Sequence, residues 1–274
     1  MKTSNHLLRR LTAALLAAVL ALSIALPVFA SDDGDTIYIN SVSDLLSLAR
    51  NCAYDQWSVG KTVILQKDLS LEGMLWEPIP SFSGQFKGNG HTISDLTITG
   101  QYSPAGLFGI VEEQGSIESL SVRGVVSVSD SADTTTGGIV GVNHGTLINC
   151  QFTGVVTGDS EVGGIVGRNE SEGTIDHGTA RAIVTGKSST GGIAGYNLGA
   201  ITGCTNVGSI NTEYPEASLD TDGFTAKMVD YINNKMAAAD NDATNSVTNV
   251  ATDTGGIAGR SSGMILTLSL IHIS

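Results

Sequence analysis

Apolar residues recur along this chain in short clusters bounded by glycine, and the clusters return at a nearly fixed period. Ala105-Gly106-Leu107-Phe108-Gly109 reappears as Gly137-Gly138-Ile139-Val140-Gly141, Gly163-Gly164-Ile165-Val166-Gly167, Gly191-Gly192-Ile193-Ala194-Gly195 and Gly255-Gly256-Ile257-Ala258-Gly259. The second positions, 106, 138, 164, 192 and 256, are separated by steps of 32, 26, 28 and 64. A Gly-x-Ile/Leu block follows each one, at Gly115, Gly145, Gly173, Gly199 and Gly263. A further apolar column lies eleven residues past those glycines, at Val126, Val156, Val184 and Ile210. Each repeat therefore predicts three short β-segments separated by glycine turns. No single repeat can bury its own apolar side, but repeats stacked coil on coil bury a continuous one. Parallel strands ~4.8 Å apart then lay equivalent residues over one another, and crossover chirality predicts a right hand. Leucine-rich repeats need helical backs that are absent here, and a propeller blade needs ~40 residues. Phe108, Val140, Val166, Ala194 and Ala258 stand beside the Leu/Ile column, and alternation alone leaves open which of the two columns points inward.

The flanks depart from this period. Ser41 followed by Asp44 reads as a helix start, with Leu45 and Leu48 on one face, and Thr36–Ile39 and Thr62–Leu65 read as strands. Residues 31–104 are thus expected to form an amino-terminal cap and the first coils, and 105–265 the repeats. The long step hides an insertion at 211–254. There Phe224, Met228, Ile232 and Met236 recur at helical spacing, for a helix that packs on the solenoid flank or protrudes to meet a partner. The predicted fold is all-β: a right-handed parallel β-helix with a helix-containing amino-terminal cap and an inserted helix.

Residues 1–30 read as a secretory signal: Lys2, Arg9 and Arg10 precede an apolar run from Leu11 to Leu26, then Pro27 and the small residues Val28 and Ala30. This predicts a secreted or cell-surface bacterial protein, with no membrane association beyond the signal. The net charge is −13. Removing the signal takes away three cations and no acid, leaving −16. A body that acidic repels nucleic acid and anionic lipid. Residues 266–274 break the pattern and read as a non-native tail, which predicts self-association at an uncapped carboxyl-terminal end.

The blocks Gly-Gly-Ile-Val/Ala-Gly-x-Asn, then Gly-x-Ile/Leu, then Asn149-Cys150 or Gly203-Cys204 resemble the GLUG repeat family over roughly residues 105–265. The upstream run Phe82 to Ile93 resembles the segment that commonly precedes such repeats. The resemblance implies a β-helix in a bacterial surface or secreted setting. Some members of that family are amino-terminal parts of zinc metallopeptidases that cut immunoglobulin A1, and others are adhesin-like.

Chemistry is sparse. The five histidines (6, 91, 144, 177 and 272) contain no pair one helical turn apart around a glutamate, the arrangement a zinc peptidase needs, and His144 and His177 fall in different registers. No metal and no cofactor are expected. Cys150 and Cys204 share a register with Gly178 between them, ~9.6 Å apart and beyond the ~7 Å reach of a disulfide, so both are expected as buried thiols; Cys52 lies in the cap. Asn143, Asn169 and Asn197 align with Ser261 as a ladder of stacked amides. Arg168, Tyr196 and Arg260, with Val142, form a variable outward column that offers a binding surface for a peptide or sugar. Asp130, Asp133, Asp159 and Glu161 near one edge are the candidates for a polysaccharide-cleaving carboxylate cluster. The reading is a non-catalytic surface module for adhesion, display or binding of a host or cell-surface protein or glycan. The alternatives are an ancillary segment of a surface zinc metallopeptidase and, third, a polysaccharide-active enzyme.

Overall fold

The computed structural model of the chain describes residues 35–54, 56–128, 134–211, 252–266 and 269–270. The expected signal at 1–30, the helix expected within 211–254, His6, His272, Asp130 and Asp133 lie outside the described residues. Apart from Asp35, the described residues belong to one unit, Thr36–Ser274.

That unit is a parallel β-solenoid. Its strands stack into four sheets, numbered in the order in which a coil meets them. Sheet one has eight strands, from Thr36–Ile39 to Met264–Leu266, and sheet two has eight, from Leu69–Ser70 to Ser269–Leu270. Sheet three has four, from Thr135–Gly137 to Thr252–Gly255, and sheet four has six, from Ile79–Phe82 to Ala258–Ser261. A full coil runs from Val140–Asn143 through Thr146–Ile148, Gln151–Thr157 and Glu161–Gly163 to Val166–Asn169, which pairs in parallel with its start. The first coils lack sheet three, and later coils have four strands where the periodicity predicts three.

The extra strand comes from the glycine block, which is a corner and not a strand. Gly138-Ile139 turns the chain from sheet three into sheet four, and at such a bend two consecutive residues face inward. Ile139, Ile165 and Ile193, and beside them Val140, Val166 and Ala194, are all fully buried. Both columns line the core. The corner needs glycine for close approach: a Cβ on Gly163 would fall on the Val166 carbonyl oxygen, and one on Gly164 on that of Gly192. The corner from sheet one into sheet two differs. There Asn89, Ser119, Asn149, His177 and Gly203 take left-handed φ of 52°, 52°, 52°, 53° and 60°. Asn and Gly tolerate that region best. The next residue of the later coils, Leu120, Cys150, Gly178 or Cys204, then faces the interior.

At the amino-terminal end Phe82, Phe86 and Phe108 fill the core with ring centroids 5.4 to 6.3 Å apart. Helix α1 (Val42–Asn51) starts where Ser41 Oγ accepts the Asp44 N–H at 3.2 Å. It buries Leu45 and Leu48 and packs on Thr36–Ile39 and on Ile79–Phe82, the terminal strand of sheet four. The helix therefore shields a strand edge that would otherwise invite pairing. Of the carboxyl-terminal residues, Met264–Leu266 pairs with Ala200–Thr202, and Ser269–Leu270 with Thr205–Asn206.

Thr136 Oγ1 is buried without a hydrogen-bond partner, and the residue over it in the next coil is Val162. Leaving such a hydroxyl unmet costs about 1–3 kcal/mol. Thr136→Val is expected to raise the unfolding free energy by about 1–2 kcal/mol in a denaturant titration; an unchanged or lower midpoint would show that the hydroxyl finds a partner.

Candidate functional site

The polar chemistry of the repeats lies in three stacked columns, two inside and one outside. Sheet four carries the first. Phe82 and Val111 begin an inward column that continues as Asn143, Asn169, Asn197 and Ser261. Asn143 Nδ2 donates to Asn169 Oδ1 at 2.7 Å, Asn169 Nδ2 to Asn197 Oδ1 at 2.8 Å, and Asn197 Nδ2 to Ser261 Oγ at 3.2 Å. Each amide also donates to a carbonyl of its own turn, Gly145, Gly173 or Gly199, at 3.1 to 3.2 Å. All three asparagines are fully buried. An amide has two N–H donors, so one hydrogen serves the axis and the other the turn. The three amides are neutral and sealed from solvent, and the ladder reaches the surface only at Ser261.

The second inward column follows the left-handed corner. Cys150, Gly178 and Cys204 share one register, as the flanking pairs Gln151–Thr179–Thr205 require. Cys52, Cys150 and Cys204 are free, buried thiols. Burial pushes the thiol of Cys150 up to about 12 and those of Cys204 and Cys52 to about 11. A thiolate is the reactive form, so these groups are inert in the folded chain.

The third column points outward from sheet four. Val142, Arg168, Tyr196 and Arg260 stand over one another in successive coils. Arg168 donates from Nε to Glu170 at 2.6 Å and from an Nη to Glu161 at 2.8 Å. Burial opposes its charge, but Glu170 and Glu161 outweigh that and raise its pKa. The guanidinium carbons of Arg168 and Arg260 lie 5.0 and 5.7 Å from the centroid of the Tyr196 ring. Tyr196 is thus flanked by a cation from each neighbouring coil, each contact worth ~0.5–1 kcal/mol at such exposure. Arg260 is exposed and has no carboxylate partner among the described residues. Glu170 was missed by sequence reasoning, although it stands only two residues past Arg168, just beyond the strand Val166–Asn169.

Of the four carboxylates considered for hydrolysis, only Asp159 and Glu161 are among the described residues, and each is held by a cation. Glu161 is bound to Arg168 and accepts from Thr135, and Asp159 pairs with Lys187. His144 and His177 stay apart, the latter beside Asp176 at 2.9 Å. Among the described residues no group of three or more His, Cys, Asp or Glu is arranged to hold a metal ion.

Comparison with known proteins gives partial similarities. Halomucin of Haloquadratum walsbyi is 30% identical over 155 residues, covering 52% of this chain and 2% of that protein. A protein of Evansella cellulosilytica whose name describes a Gly-rich membrane protein is 29% identical over 137 residues, 36% of this chain and 16% of its own length. The chain thus spans a small part of both relatives. Among solved structures, a Bacteroides ovatus protein named for an immunoglobulin A1 protease superposes with a TM-score of 0.42 at 14% identity, over 84% of this chain and 83% of that one. That superposition is too loose to carry an argument. No protein-family model matches the chain, so the GLUG resemblance rests on its residues alone.

Two outcomes follow from the inner columns. Asn169→Ala orphans Asn143 Nδ2 and Asn197 Oδ1 together and is expected to cost about 2–5 kcal/mol. Asn197→Ser, which repeats the Ser261 solution, should cost clearly less; the reverse order in denaturant titrations would break the ladder. The raised thiol pKa values mean that the folded chain holds those protons longer than the unfolded one. The stability they contribute is complete below the ordinary thiol pKa of 9.0 and is lost as pH rises toward about 11. Thiol-reagent labelling at pH 8 should therefore await unfolding, and rapid labelling of the native protein would contradict the burial.

Proposed function

We propose that this chain is a non-catalytic β-solenoid module that acts outside the cell or on its surface, in adhesion or display, and that binds its partner through the outward Arg168–Tyr196–Arg260 column. One observation carries the reading. The buried amides of the repeats are used by the stack itself, whereas arrayed charge and an aromatic ring face outward on sheet four. A solenoid presents such a column on a surface whose spacing is set by the coils, and extended repeat surfaces of this kind suit binding. The similarity to halomucin and to a Gly-rich membrane protein supports a place at or beyond the cell surface. So does the arginine- and lysine-poor composition, which disfavours nucleic acid. No helix among the described residues is long and apolar enough to cross a membrane.

Within the column Arg168 is neutralised by two carboxylates and serves to position Tyr196. Arg260 is the cation left to meet a ligand. A planar guanidinium held against a ring is suited to a carboxylate or sulfate on a glycan or glycoprotein. The test is binding of the immobilised chain to a panel of neutral and carboxylated glycans and to a mucin glycoprotein. Saturable binding to carboxylated members that falls at least tenfold in Tyr196→Ala/Arg260→Ala is expected. Binding that ignores both substitutions, or release of sugar or peptide fragments from any probe, would overturn the proposal.

A further inference from the structure

Charge is distributed unevenly over the solenoid. The chain holds 27 acidic residues against 14 lysines and arginines. Yet the sheet-two strands Ser121–Val128, Gln151–Thr157 and Thr179–Thr185 carry two arginines and no acid. Both arginines stand in one register, Arg123 over Thr153 over Arg181. Strand alternation turns that register outward, because Val122, Phe152 and Ala180 face the core. Arg123 and Arg181 are exposed, and among the described residues neither makes a hydrogen bond or an ion pair. Arg168, by contrast, is held by two carboxylates. The carboxylates of the preceding coils are engaged elsewhere. Asp68 lies 3.1 Å from His91 Nδ1 and accepts the Thr92 N–H at 2.9 Å. Asp95 accepts the hydroxyls of Ser70 and Ser94 at 2.6 and 2.8 Å. Between the arginines Thr153 is 7% exposed, and its Oγ1 accepts from Gln151 Nε2 at 3.4 Å. That leaves the Thr153 O–H proton to donate.

We infer that Arg123, Thr153 and Arg181 form a binding site for one tetrahedral oxyanion, a sulfate or phosphate group. Two strand spacings put the arginine Cα atoms ~9.6 Å apart, with Thr153 midway, so both guanidinium forks can close on a group seated over its hydroxyl. Three donors then meet three oxygens, which a sulfate or phosphate ester has and a planar carboxylate lacks. A guanidinium suits such a group because its planar fork donates two parallel N–H bonds. Without an anion the two cations repel each other; with one between them that repulsion is replaced by two attractions. The acid-free strands concentrate positive potential here, on a chain whose net charge of −13 repels anions elsewhere. The adjoining outward register, Ser121, Gln151 and Thr179, adds hydroxyl and amide groups within reach of a sugar that bears the ester. The site lies on sheet two and is separate from the Arg168–Tyr196–Arg260 column of sheet four.

The experiment is calorimetric titration of the full chain with dextran sulfate, polyphosphate, inorganic sulfate and inorganic phosphate, with unmodified dextran as the neutral probe. The inference expects saturable binding of a sulfate or phosphate probe and none of unmodified dextran. It expects at least tenfold weaker binding in Arg123→Gln/Arg181→Gln, with an unchanged β-sheet circular dichroism spectrum. Binding of the polymers alone would support an ester on a chain as the natural ligand, and equal site affinity for the inorganic ion would support the free anion. Arg123→Lys/Arg181→Lys keeps the charge and removes the forks, and should weaken binding at least threefold. Undiminished binding by that lysine variant would reduce the effect to net charge and overturn the site. Tyr196→Ala/Arg260→Ala should bind these probes as the parent does. Loss there with retention in the sheet-two variants would move the anion to sheet four and overturn the inference, as would a parent that binds no sulfate or phosphate probe.

Discussion

Everything in this chain answers to one constraint: in a parallel stack each residue lies on its own equivalent in the next coil, ~4.8 Å away. A side chain must therefore be compatible with copies of itself. Leu and Ile satisfy this by dispersion and burial, each worth ~1.5–3 kcal/mol when removed from water. A charge cannot, because a column of like charges would repel at every step. Asn can, since its amide donates at one end and accepts at the other. The ladder from Asn143 to Asn197 is that solution inside, fully buried and hydrogen-bonded from coil to coil. Outside, where solvent screens, Arg168, Tyr196 and Arg260 solve the same problem by placing a ring between two cations.

The same constraint explains why so much of the fold could be read from the sequence. Residues that must stack must recur, so the Ile139–Ile165–Ile193 column and the alignment of Asn143 with Asn169 were visible as spacing. Thr36–Ile39, Thr62–Leu65 and the Ser41 cap were legible from local signals of another kind, alternation and side-chain capping. What spacing could not supply was direction. Whether Val140 or Ile139 faced inward depends on a corner, and a bend that turns both inward violates the alternation on which strand reading rests. The count of strands per coil failed for the same reason, since Gly-Gly-Ile looks like part of a strand until the chain is seen to turn there.

The surface was less legible because it is free to vary. The partners of Arg168 are Glu161, seven residues before it in the preceding sheet, and Glu170, two residues after. Glu170 is near in sequence, just past the strand that carries Arg168; Glu161 is brought near by the corner at Gly163-Gly164. The outward set is thus assembled across a bend, by the glycines whose missing side chains let the two sheets meet closely. A substitution at those glycines would reach the surface chemistry without touching a charged residue.

The interruption after Asn211 shows how local this architecture is. The step between glycine blocks rises from 28 to 64 residues across it, yet Tyr196 still pairs with Arg260 and Asn197 with Ser261 in unbroken register. Loop-closure entropy grows only with the logarithm of length, so a long excursion between two coils adds little to the cost of closing them. Nearest-neighbour stacking then restores the register on return, because the next coil is recognised by the ladders and not by chain distance. A solenoid can therefore acquire a large element between coils while keeping its core. It is at such an excursion that an otherwise repetitive surface, identical from coil to coil in its backbone, gains a feature that occurs once.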